Sequence, residues 1–190
     1  MKYLSVTLAP VMILASSVTF AADNYDGQVN ITGEVVAQTC KVTNSNNIVN
    51  VSLPVVSANL FTAVGKTAAT TPFTINLENC TYSDEGEGKT TNRSVGVYFA
   101  STGNIDLNSA TLNNTSTGSG AAQGVNVALL NGNSNKINLG SDESSQDVIY
   151  APITSGGQIS MKFFAQYYST ATSITPGKIT AIAPFNIIYQ

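Results

Sequence analysis

The chain has 190 residues, of which 43% are hydrophobic and only 10% charged; that length fits one domain, and its apolar content excludes a solvated disordered tail. Eight basic and eleven acidic residues leave a formal charge of −3, which argues against a nucleic-acid polyanion as partner. Histidine is absent, which removes Ser-His-Asp and Cys-His catalysis, HExxH zinc sites and histidine pH switches. Ser, Thr, Asn and Gly supply the polarity that charge usually supplies, as in extracellular β-proteins.

The chain opens on a short positive region, Met1-Lys2, followed by an apolar or small run over residues 3–20. Thr19-Phe20-Ala21 places small residues at −3 and −1, so cleavage is expected after Ala21, with Ala22 as the neighbouring alternative. No positive residue flanks the far side and polar Asp23-Asn24 follows at once, so residues 1–21 read as a secretory signal rather than a membrane anchor. No later segment reaches the ~18–20 apolar residues of a membrane span.

After the cleavage point Tyr25, Gly27, Val29, Ile31, Gly33 and Val35 alternate with Asp26, Gln28, Asn30, Thr32 and Glu34. One face is mostly apolar and the other wholly polar, which is strand alternation. A strand is expected over residues 29–42, and with the alternation from Tyr25 the strand-competent run spans 25–42. It is longer than the 3–10 residues usual for a globular strand, so part of it is expected to pair outside its own domain. Cys40 and Cys80 are an even pair in an exported chain and predict one disulfide. They do not form a CxxC pair, and no histidine is present to complete a metal shell.

Further strands are expected over residues 48–56, 73–77, 94–99, 125–130, 159–168 and 178–189. One short helical turn is allowed within 57–69, ended by Thr70-Thr71-Pro72. Residues 83–89 and 113–120 read as loops, and Asn131-Gly132-Asn133 as a hairpin turn. Short strands between turn-rich loops predict an all-β antiparallel sandwich. In the last segment Gly177, Ile179, Ala181, Ala183, Phe185, Ile187 and Tyr189 share one face. Chain ends fray unless pairing holds them, so this strand is either an ordinary core strand or the edge of a binding groove.

Other chemistries find little support. A Ser-Lys dyad or carboxylate pair remains possible on residue types alone, but no motif points to either. Asp84, Glu85 and Glu87 offer carboxylates for calcium, but a solvated acidic loop is the simpler reading. No metal or cofactor is expected. A sortase-type pilin is excluded by the lack of a sorting motif, hydrophobic tail and basic end.

Several of these segments together resemble the structural subunits of chaperone–usher fimbriae, closest in pattern to type 1-like major pilins. The matching pieces are GQVNITGEVVAQTC (27–40), FTINLENC (73–80), GVNVALL (124–130), FFAQYY (163–168) and the C-terminal strand. The family's terminal signature is a glycine fourteenth from the end with a penultimate aromatic, positions held here by Gly177 and Tyr189. The loop over residues 82–92 matches nothing. The resemblance implies an incomplete immunoglobulin-like β-sandwich, completed by a donor strand from a neighbouring subunit or a chaperone. It implies a signal at 1–21, a donor-strand extension at 22–37 and a pilin domain at 38–190. Tyr25, Gly27, Val29 and Ile31 are the expected donor positions. Gly177, Ile179, Phe185, Ile187 and Tyr189 are the expected acceptor-groove and chaperone-contact positions. The implied partners are neighbouring copies of the chain, a periplasmic chaperone and an outer-membrane usher, in a surface fimbria supporting adhesion. A minor adaptor, terminator or adhesive subunit is the alternative.

Overall fold

The computed structural model describes residues 29–32, 40–81, 94–154 and 156–190. Two units are distinguished, 1–36 and 37–190; in the first, only residues 29–32 are described. The second carries nine strands: β1 (Lys41–Val42), β2 (Thr67–Glu78), β3 (Ser94–Phe99), β4 (Ile105–Asp106), β5 (Thr111–Leu112), β6 (Val125–Leu130), β7 (Ala151–Pro152), β8 (Ile159–Ser169) and β9 (Phe185–Tyr189). They form a six-stranded sheet in the order β1-β2-β8-β6-β5-β4 and a three-stranded sheet in the order β7-β3-β9. All pairings between these strands are antiparallel.

The period-two patterns place the core. Ile75 and Leu77 of β2, Val127 and Leu129 of β6, and Met161, Phe163 and Ala165 of β8 join Val95, Val97 and Phe99 of β3 in one buried cluster. Each buried side chain of this size contributes roughly 1.5–3 kcal/mol relative to exposure. Phe73 stacks on Phe163 at 5.6 Å, Phe163 meets Phe99 edge-on at 5.4 Å, and Phe99 meets Phe185 at 6.3 Å. This aromatic relay runs from the larger sheet to β9 of the smaller one. Gln146, 2% exposed, donates to the Phe99 carbonyl and accepts from the Phe99 N–H, at 2.8 and 3.1 Å. It fastens the loop over 141–150 across β3. Gly96 leaves room for that loop: a Cβ there would lie 2.7 Å from Val148 Cγ1.

The expected strands over 94–99 and 125–130 form with those bounds, and the 159–168 strand gains Ser169. The hairpin turn also forms. Asn131 Oδ1 accepts from the N–H of Asn133 and of Asn135, and Ile137 N–H returns to Leu129 C=O at 2.9 Å. The 73–77 strand is longer than expected. It starts at Thr67 and carries a register shift between Ala68 and Thr71, where Ala69 takes a φ of 60°. The one short turn allowed within 57–69 forms as a 3-10 turn, Ala58–Leu60, capped by Ser57.

Of residues 29–42, 33–39 lie outside the described residues; Lys41–Val42 is strand and 29–32 are not. Two further expectations are corrected. Residues 48–56 form no strand, because among the described residues no strand pairs with them and Pro54 lacks an N–H. The strand expected over 178–189 is confined to Phe185–Tyr189. Ahead of it the chain leaves the smaller sheet: Ala121 bridges Lys178 and Gln123 bridges Thr175. Gly177 permits this crossing, since a Cβ there would lie 2.5 Å from Ala121 C and Ala122 N and 2.6 Å from Gly120 O. The short strands β4, β5 and β7 had no sequence signal, since two residues cannot display a period.

Cys40 and Cys80 are joined in a disulfide, 40 residues apart in sequence, with both residues buried. The acidic loop at 83–89, the segment over 82–92 and the signal region lie outside the described residues.

Two outcomes follow from this packing. Measured on a chain with residues 22–37 fused after Gln190 through a flexible linker, Gly177→Val forces backbone apart and is expected to lower the unfolding free energy by about 3 kcal/mol; a variant as stable as the unsubstituted fusion in urea titration contradicts the close approach. Replacing both cysteines by alanine in the same fused chain is expected to remove on the order of 4 kcal/mol, read as a lower urea midpoint in oxidising buffer.

Candidate functional site

The C-terminal run is held along one edge only. Lys178 N–H donates to Gly120 C=O at 2.7 Å, and Lys178 C=O accepts from Ala122 N–H at 2.9 Å. Thr180 N–H donates to Asn114 Oδ1 at 3.0 Å, and Thr180 C=O accepts from Thr115 N–H at 2.8 Å. Pro184 C=O accepts from Ala100 N–H, and Gln190 exchanges both bonds with Ser94, each at 2.9 Å. All of these are even-numbered residues. In an extended chain successive residues direct their N–H and C=O to alternate edges. Residues 179, 181, 183, 185, 187 and 189 therefore direct theirs to the opposite edge. Among the described residues none of these six has a backbone partner there, and β9 is the terminal strand of its sheet. Pro184, which has no N–H, falls in the paired set, so the open edge keeps every donor.

The same six residues turn their side chains inward. Ile179, Ala181, Ala183, Phe185, Ile187 and Tyr189 all pack on the main core cluster, and all remain only partly buried. The register with β3 sets Val95 opposite Tyr189, Val97 opposite Ile187 and Phe99 opposite Phe185. A strip of apolar side chains thus rests on the core with its outer side uncovered.

A second rim is formed by a segment that packs on the same core. Val49 and Leu53 pack on the same cluster, while Ile48 and Val55 are exposed. Among the described residues, 48–56 make no backbone–backbone hydrogen bond. The two rims are tied at both ends. Cys40 N–H donates to Tyr189 Oη at 3.2 Å. At the far end Val56 and Ile179 pack on a second cluster of Phe61, Ala122 and Val125. The disulfide fixes Cys40 next to β2 and so sets the position of this rim.

The sequence-derived positions fall as follows. Ile179, Phe185, Ile187 and Tyr189 line the uncovered strip. Gly177 stands apart from them, as a backbone contact at the start of the run. Val29 and Ile31 are 84% and 90% exposed, and Tyr25 and Gly27 lie outside the described residues. Val49 and Leu53 were missed as rim residues, because an irregular segment has no period to reveal its inward face. Ala181 and Ala183 were visible in the alternation but too small to single out.

Other surfaces offer less. An open cleft of about 530 Å³ is lined by Asp142, Glu143, Ser144, Asp147, Val148 and Tyr150. Burial, then the hydrogen bond to Glu143, pushes the Tyr150 hydroxyl up to about 12. Hydrogen bonds from Ser145 and Ser144 hold the Asp142 carboxyl below its ordinary value. Among the described residues no cluster of metal-ligating side chains occurs, and no helix is long and apolar enough to cross a membrane.

Comparison with known proteins gives a consistent picture. The family model described as fimbrial protein matches residues 29–190. The F17 fimbrial protein of Escherichia coli is 36% identical, covering 94% of this chain and 95% of that protein. A major fimbrial subunit of Haemophilus influenzae is 33% identical, covering 97% of this chain and 99% of its own. The P pilus rod subunit PapA superposes with a TM-score of 0.61 at 17% identity, over 80% of this chain and 100% of that one, which places the open two-sheet architecture in the pilin fold. By family, by fold and by near full-length similarity, this chain belongs to the fimbrial protein family and is a structural subunit of a surface fimbria.

Proposed function

We propose that the subunit polymerises head to tail by donor-strand exchange, forming the shaft of the fimbria. The observation that carries this reading is the shared parity of the C-terminal run. Its odd-numbered residues combine inward, half-covered side chains with outer-edge backbone groups that have no partner among the described residues. Such an edge is a template for a further strand. Chaperone–pilin strand complementation is the standard example of that binding mode.

Residues 22–37 are the complementary piece. Tyr25, Val29 and Ile31 enter the strip of a neighbouring subunit, and Gly27 takes a site that leaves no room for a side chain. Each large donor side chain contributes roughly 1.5–3 kcal/mol on burial, before the cost of ordering the arm. Each new backbone hydrogen bond adds about 1 kcal/mol net. Arm and groove are different surfaces, so the contact is heterologous and builds an open filament rather than a closed ring. Before assembly a periplasmic chaperone lends its own strand to the same edge. The arm of the next subunit replaces that strand at the outer-membrane usher. The chain's part is mechanical, with no catalysis, and its finished filament supports adhesion.

The decisive comparison is between the chain from residue 22 onward and the same chain with residues 22–37 fused after Gln190 through a flexible linker. The fused form is expected to be a stable monomer by sedimentation, and the plain form to polymerise or aggregate. A plain chain that unfolds cooperatively as a stable monomer would falsify the incomplete-fold reading. In a second test, Gly27→Trp is expected to slow or stop filament growth while leaving the subunit's own groove able to accept a wild-type arm. Filaments of wild-type length in electron micrographs of the Gly27→Trp variant would contradict the role given to Gly27.

A further inference from the structure

We propose that Asn114 is a positioning residue for strand acceptance: it sets the far half of the open edge before any donor arrives. This rests on the donor-strand reading above.

The far half of the edge has no strand behind it. From Phe185 to Tyr189 the run is backed by β3, but Ile179 and Ala181 lie in the irregular stretch that has left the smaller sheet. What straightens that stretch is the loop over 113–123, and Asn114 is its hub. Asn114 Nδ2 donates to Ala122 C=O at 2.9 Å and to Lys178 C=O at 3.0 Å. Its Oδ1 accepts from Ser116 N–H and from Thr180 N–H, both at 3.0 Å. Two donors and two acceptor sites are the whole capacity of an amide side chain, and all four are used. Two of the bonds stay inside the loop and shape it, while the other two reach residues 178 and 180.

These two targets flank Ile179. Fixing the C=O of Lys178 and the N–H of Thr180 on the loop side leaves the backbone groups of Ile179 directed at the open edge. Thr115 Oγ1 to Thr180 C=O and Ser116 Oγ to Thr180 Oγ1, both 3.0 Å, extend the clasp. Gly177 lets the backbones meet closely enough for it. An incoming strand therefore finds donors and acceptors already aligned beyond the end of β9. Without the amide, the stretch around Ile179 has to be ordered during docking, and pre-organisation of that kind sets how readily a strand is taken up.

The test separates positioning from plain stability. The chain from residue 22 onward is refolded with excess fluorescent peptide of sequence 22–37, and the rate of peptide uptake and the melting midpoint of the filled subunit are both measured. Asn131→Ala is the matched control: Asn131 also makes several side-chain bonds, to Asp147, Asn133 and Asn135, but holds the 131–135 turn and touches neither rim. Asn114→Ala is expected to slow uptake about tenfold, the equivalent of one to two lost hydrogen bonds, and Asn131→Ala to lower the midpoint without slowing uptake. Asn114→Asp keeps both acceptor contacts but sets a carboxylate oxygen against the Ala122 and Lys178 carbonyls, so it is expected to slow uptake at least as much as alanine; it also serves if the alanine variant does not fold. Uptake unchanged in both Asn114 variants, or slowed equally by Asn131→Ala, overturns the proposal. Failure of the wild-type chain to take up peptide at all overturns the donor-strand reading itself, and the role of Asn114 with it.

Discussion

Every backbone hydrogen bond described for the last thirteen residues leaves from one edge. Even-numbered residues between Lys178 and Gln190 supply all of them, to the 114–122 loop, to Ala100 or to β3, and odd-numbered ones supply none. In an extended chain, side-chain direction and hydrogen-bond direction both repeat every two residues. The residues with unpartnered backbone are consequently the same residues whose side chains reach the core. Hydrophobic burial and backbone pairing are left unfinished along one line, and a single added strand finishes both.

The surrounding packing keeps that line open rather than letting it collapse. The relay from Phe73 through Phe163 and Phe99 to Phe185 anchors β9 to both sheets. Buried Gln146 secures the loop that crosses β3. On the opposite rim the Cys40–Cys80 bridge fixes the start of the segment that carries Val49 and Leu53, and Cys40 N–H reaches Tyr189 Oη. Each rim is tethered to the body of the sandwich, so neither is free to close over the apolar strip. A long uncovered edge invites aggregation in a free-standing protein. In the proposed filament it would be the joint.

The proposed polymer contact divides between elements far apart in sequence. The apolar, alternating segment proposed as the arm precedes the first cysteine, and the strip proposed to receive it ends the chain. Separating donor from acceptor is what gives a filament its direction. The low charge of the chain is consistent with surfaces that meet other copies of the same chain, where like charges would repel.

Alternation made much of this legible in the sequence. Ser94–Phe99, Val125–Leu130 and the body of β8 could be read because β-branched and aromatic residues recur with period two and turn residues bound them. The cysteine pairing followed from an even count in an exported chain, and the family from the combination of Gly177, Tyr189 and the cysteine segments. Three things could not be read, because each depends on what lies beside a segment rather than on its own residues. Residues 48–56 carry strand-forming side chains but have no neighbour to pair with. Residues 178–184 continue the alternation of β9 yet leave its sheet for the 113–123 loop, a path that depends on the closeness of Gly177 to the backbone of 120–122. Asn114 sits in a loop with no pattern at all, and its role exists only because the fold brings Lys178 and Thr180 to it, 64 and 66 residues away. The sequence by itself determined which faces are apolar, since side-chain direction is a local property of an extended chain. Only the tertiary structure decided which backbone edge stays unpaired, since pairing belongs to neighbours that the chain must first fold to supply.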